Sequence, residues 1–85
     1  MKPSRRLGKV LHISGNSGNL ILKAEAIASI GEPVTDGGER PVGRVFDIFG
    51  PVSSPFIAVR PESDKPEKLI GRYLYIRGRE KSGGG

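Results

Sequence analysis

The sequence predicts an all-β protein, a small closed β-barrel of about six short strands. Two observations carry that reading. Thirteen glycines and seven prolines stand among 85 residues, which favours tight turns over long helices. The apolar residues come as short runs bounded by Gly, Pro, Asn, Asp and Ser, as strands between turns do. A chain this short builds a single core, and closing the sheet spares it long raw edges.

Leu7 to Ile13 reads as the first strand, with Leu7, Leu11 and Ile13 on one face and Val10 and His12 on the other. Ser14-Gly15-Asn16-Ser17-Gly18-Asn19 then turns the chain into a second strand, Leu20 to Glu25, making a hairpin. Ala24 to Ile30 has some helical propensity but stops at Gly31 ahead of Pro33, so a loop crossing one end of the barrel is expected. Val34-Thr35 is a short strand, and Asp36 to Arg40 reverses the chain.

Val42 to Phe49 is a strand apolar on both faces. Alternation sets Val42, Phe46 and Ile48, with Arg44, against Val45 and Phe49, which flank Asp47. Gly50-Pro51 ends it, since proline cannot donate to a ladder. Phe56 to Val59 is again apolar on both faces, and Pro61 to Lys68 is an exposed charged loop. In the last strand Tyr73, Tyr75 and Arg77 share one face, and Leu74 and Ile76 the core-like face. The expected layout is a basic N-terminal tail over 1–6, the barrel over 7–78 and a disordered glycine-rich tail over 79–85.

Composition restricts the chemistry. Cysteine is absent, which removes disulfides and thiolate metal sites, and one histidine cannot build an imidazole cluster. Paired carboxylates, a nucleophile with its base and metal ligands at workable spacing are all missing, so no enzyme, cofactor or metal is expected. The glycine-rich stretches lack the strand, Gly-Lys-Ser/Thr and helix of a phosphate loop and read as turns. No apolar run approaches the roughly 20 residues of a membrane span, and the basic start is not followed by the apolar segment of a signal peptide. A soluble intracellular protein is expected.

Fourteen Lys and Arg against nine Asp and Glu give a formal charge of +5, a balance that suits proteins working beside nucleic acid. The cations gather at the two ends, where they form one patch if the termini meet and solvated tails if they do not. Arg5, Arg6, Lys9, Arg72 and Arg77 are the candidate RNA-proximal residues, with Tyr73 and Tyr75 among them. A closed barrel has one inner face, so the second apolar face of the Val42 to Phe49 and Phe56 to Val59 strands needs a cover. An internal loop or a protein partner supplies it. Asp47, a carboxylate between Phe46 and Ile48, reads as a turn-stabilising or partner-contacting group.

The run Gly43-Arg44-Val45-Phe46-Asp47-Ile48-Phe49-Gly50-Pro51-Val52, followed by Pro55-Phe56-Ile57-Ala58-Val59, resembles the signature of the Gar subunit of box H/ACA ribonucleoproteins. Leu7-Gly8-Lys9-Val10, Ser17-Gly18-Asn19-Leu20, Gly31-Glu32-Pro33-Val34 and Ile70-Gly71 are similar to that family too, so the likeness runs from about Leu7 to Arg77. The glycine-arginine-rich extensions of eukaryotic members are missing apart from Gly83-Gly84-Gly85. The chain therefore looks like an archaeal-type minimal member or the core of a longer one.

The resemblance implies a six-stranded barrel related to those of translation factors. It also implies a non-catalytic subunit that binds the catalytic domain of the guide-dependent pseudouridine synthase and supports rRNA pseudouridylation, aiding substrate loading and product release. Contact with the guide RNA complex would be mostly indirect. Val45, Asp47, Ile48, Phe49, Gly50, Pro51, Val52, Pro55 and Phe56 are then nearest the synthase-binding surface. Cytoplasmic placement is implied for an archaeal member and nucleolar placement for a eukaryotic one. A related assembly factor shares this domain and surface but normally carries long extra segments. An uncovered apolar patch also predicts weak homodimerisation of the free chain. The competing expectation is a direct RNA-binding barrel of ribosomal or translation-factor type.

Overall fold

The computed structural model describes residues 4–38 and 40–77. Six strands follow in chain order: β1 (Ser4–Ile13), β2 (Leu20–Lys23), β3 (Pro33–Thr35), β4 (Pro41–Phe49), β5 (Phe56–Pro61) and β6 (Tyr73–Arg77). They close into a barrel in the order β1-β2-β5-β4-β3-β6, with every neighbouring pair antiparallel. One 3-10 turn, Pro66–Leu69, lies in the charged stretch before β6. The all-β barrel predicted from the glycine and proline content is thus the observed architecture.

The turns form where the sequence demands them. Between β1 and β2 the Ser14 amide donates to the Asn19 carbonyl at 2.8 Å and the Gly18 amide to the Ser14 carbonyl at 2.9 Å. Residues 24–32 form a loop, not a helix. Ala24, Ala26 and Ala28 pack part-buried against the core, while Ile27 points outward. The loop is tied to β4 by the Gly31 amide donating to Val45 and the Val45 amide donating to Glu32.

Leu7, Val10, Leu20, Leu22, Val34, Val42, Val45, Ile57, Val59, Leu74 and Ile76 fill the interior. In β6 the predicted division holds, with Leu74 and Ile76 inward. In β1 it does not. Register shifts between Arg6 and Gly8 and between Val10 and His12 mark β-bulges, and each extra residue moves the following side chains to the opposite face. Leu7 and Val10 therefore share the core, and Leu11 is exposed.

The N-terminal boundary also moves. Ser4, Arg5 and Arg6 pair with Arg77, Ile76 and Tyr75, so 4–6 extend β1 instead of forming a tail, because β6 supplies a hydrogen-bonding edge along their whole length. The glycine-rich tail over 79–85 lies outside the described residues.

A candidate protein-binding hairpin and an opposing basic face

Strand β4 carries two shifts of register. One lies opposite Val34 and Thr35, between Gly43 and Pro41, and the other falls between Val45 and Asp47 opposite Val59 and Ala58. The first lets Val42 and Val45, three residues apart, both face inward. The second turns Phe46 out to 51% exposure.

Beyond that bulge β4 and β5 continue as a ribbon in which Asp47 pairs with Ala58, Ile48 with Ile57 and Phe49 with Phe56. Phe49 and Phe56 stack with ring centroids 5.8 Å apart and planes 23° from parallel. Gly50 turns the chain at φ +95° beside the Phe56 ring. The Ser54 amide then closes the tip by donating to the Pro51 carbonyl at 3.1 Å. The Pro55 carbonyl accepts from the Ala24 amide at 2.9 Å and fastens the hairpin to the rest of the barrel. The Asp47 carboxylate accepts from the Ile48 amide at 2.9 Å.

Of the residues expected at a partner surface, Ile48, Phe49 and Val52 are exposed, at 36%, 43% and 98%. Asp47, Gly50 and Pro51 are exposed with them, and Pro55 and Phe56 are half-buried. Val45 is not on the surface: at 2% exposure it belongs to the core, because the bulge separates its face from that of Phe49. Phe46, which strict alternation grouped with buried Val42, joins the exposed set instead. The adjacent pair Val45-Phe46 is the trace of this in the sequence, since two bulky apolar neighbours break a period of two where a bulge sits.

On the other side of the barrel, β1 and β6 present a basic and aromatic face. The Arg6 guanidinium lies 4.5 Å from the centre of the Tyr73 ring, and the Lys9 ammonium 5.9 Å from it. The first bulge of β1 puts these two cations on one side. Arg6 also donates to Glu25 at 2.8 Å, which raises its pKa above the ordinary arginine value, first by that hydrogen bond and then by the carboxylate's charge. Arg5, Arg6, Glu25, Ala26, Ile27 and Tyr75 line an open depression of about 710 Å³. Arg5 and Arg77 line a smaller one beside Ile27 and Ile76. Arg72 sits at the root of β6, where its carbonyl accepts from the Val10 amide. Among the described residues, no three His, Asp or Glu side chains gather as a metal site requires, and no helix is long and apolar enough to cross a membrane.

A closed six-stranded barrel with an exposed apolar hairpin on one side and two cations over a tyrosine ring on the other defines a small β-barrel binding module. Residues 5–82 match the family described as the Gar1/Naf1 RNA binding region, and the chain belongs to that family. It is 33% identical over 76 residues to an uncharacterized protein of Methanothermobacter thermautotrophicus, covering 85% of this chain and 82% of the relative. The solved Gar1 domain of NAf1 superposes with a TM-score of 0.68 over 91% of this chain and 86% of that one; at 18% identity the likeness is one of fold.

Proposed function

We propose that the protein is a non-catalytic accessory subunit of a box H/ACA guide ribonucleoprotein, in which the β4–β5 hairpin binds the catalytic domain of the pseudouridine synthase. The observation that carries this reading is the exposure of Phe46, Ile48, Phe49 and Val52 together on one hairpin whose two strands are joined by the Phe49–Phe56 stack. Burying such a side chain fully is worth about 1.5 to 3 kcal/mol, and rigid aromatics lose little entropy on docking. A few of them anchor a stable complex. In this reading the subunit also supports substrate loading and product release during rRNA pseudouridylation, a role with which membership of the Gar1/Naf1 family is consistent. Gel filtration of the purified chain with the synthase, with and without guide RNA, tests it. Co-elution without RNA is the expected result, and binding to RNA alone would overturn the reading.

A second reading rests on the opposite face. Arg6 and Lys9 over Tyr73 supply the cations and aromatic surface that single-stranded RNA uses, and the family is described as an RNA binding region. Barrel order places β1 and β6 away from β4 and β5, so RNA contact there is compatible with a protein bound at the hairpin.

A further inference from the structure

Arg44 and Arg60 stand directly opposite each other across the β4–β5 ladder, and Pro33 flanks Arg44 on its other side. Both arginines are exposed. Like charges facing one another across antiparallel strands oppose folding, and among the described residues neither arginine has a carboxylate partner, the ion pair there being Arg6 with Glu25. Arg44 is held in place by donating from Nη1 to the Gly31 carbonyl at 3.0 Å. Phe46, turned out by the bulge, lines a depression of about 280 Å³ together with Arg60, Pro61 and the 17–19 turn. Arg44 reaches toward Gly31 and Arg60 toward the 17–19 turn, so the two strands carry positive charge, unpaired among the described residues, on both sides of an exposed aromatic ring, an arrangement suited to an anion.

The neighbouring residues favour a protein carboxylate over an RNA phosphate. A nucleic-acid backbone continues past its first phosphate and needs further cations along its track. Toward the hairpin tip the next pair on this face is exposed Asp47 with buried Ala58, and the one after it is Phe49 with Phe56, with Lys23 beside Phe56 on β2 as the one further cation paired along that row among the described residues. A carboxylate followed by two aromatic rings repels a phosphate chain and accepts an apolar protein surface. We infer that Arg44 and Arg60 form the charged end of the hairpin interface and receive an Asp or Glu carboxylate of the protein partner while the phenylalanines bury beside it. This rests on the reading that the hairpin docks a protein.

Calorimetric titration of the synthase with the parent chain and with Arg60→Glu, Arg60→Gln and Phe49→Ala, at two salt concentrations, tests it. Arg60→Glu is expected to weaken binding about tenfold or more and to flatten its salt dependence. Phe49→Ala is expected to weaken binding and leave the salt dependence intact. Should Arg60→Glu lose its fold by circular dichroism, Arg60→Gln carries the same test with a smaller expected loss. Unchanged affinity in the folded Arg60 variant beside a weakened Phe49→Ala overturns this inference and leaves the docking reading standing. Failure of the parent chain to bind overturns both. Loss of guide-RNA binding in a gel shift, with synthase affinity unchanged, reassigns the pair to phosphate and likewise overturns it.

Discussion

Phe49 and Phe56 stack across the β4–β5 hairpin at 5.8 Å, joining two strands beyond the level at which the core ends. An aromatic pair of this kind adds about 0.5 to 1.5 kcal/mol to its area burial. Removing one ring therefore costs the free barrel little, since Phe49 is already 43% exposed. Phe49→Ala is expected to lower unfolding free energy by about 1 kcal/mol while weakening synthase binding by about 2 kcal/mol or more, some thirtyfold, as central aromatic anchors do. Urea denaturation and calorimetry on the same preparation separate the two effects. Equal losses in both would make Phe49 a folding residue only.

Two glycines control how the hairpin meets the barrel, by different means. Gly50 holds φ +95°, and a Cβ there would lie 3.1 Å from the Phe56 ring. Gly50→Ala is expected to cost about 1 to 2 kcal/mol, the strain of a left-handed alanine. At Gly43 a Cβ would run into the Arg60 carbonyl on β5. Neither backbone can yield without opening the ladder, so Gly43→Ala is expected to cost about 3 kcal/mol or more. Chemical denaturation checks the order, and a reversed one would mean that the strands separate more easily than the turn relaxes.

Glycine, proline and the short apolar runs made the barrel, the 14–19 turn, the 24–30 loop and the faces of β6 legible in the sequence. The faces of β1 and β4 were not. A bulge depends on how a strand pairs with its neighbour, and composition and length do not mark that a residue after Arg6, Val10 or Val45 is left out of the pairing, which inverts the faces beyond it. The hairpin could therefore be located from Phe49-Gly50-Pro51, but its side chains could not be sorted, and Val45, expected at the partner surface, lies in the core while its neighbour Phe46 is exposed. The sorting has a measurable consequence. Val45→Ala is expected to destabilise the barrel by about 2 to 3 kcal/mol, and Val52→Ala, at 98% exposure, to stay within about 0.5 kcal/mol. Only Val52→Ala should reduce binding in the intact fold. Thermal melts that rank them the other way contradict this inside-outside assignment.

Glu25 decides how much of Arg6 the basic face can offer. The carboxylate takes one guanidinium donor at 2.8 Å, whereas Lys9 has the Tyr73 ring and no carboxylate among the described residues. For RNA crossing β1 and β6, Lys9→Ala should reduce affinity and lower the slope of log K against log salt by about one, as the loss of one phosphate contact does. Glu25→Gln should act in the opposite direction, raising affinity by about two- to fivefold as Arg6 becomes free to meet phosphate. pH does not interfere with the comparison. A cation whose folded-state pKa is raised contributes its stability below the unfolded pKa and loses it only as pH rises through the higher folded value. For Arg6 both lie far above neutrality, so its charge is constant from about pH 6 to 9. Gel-shift titrations with a single-stranded RNA at several salt concentrations provide the measurement, and affinities indifferent to both substitutions would remove RNA from this face of the barrel.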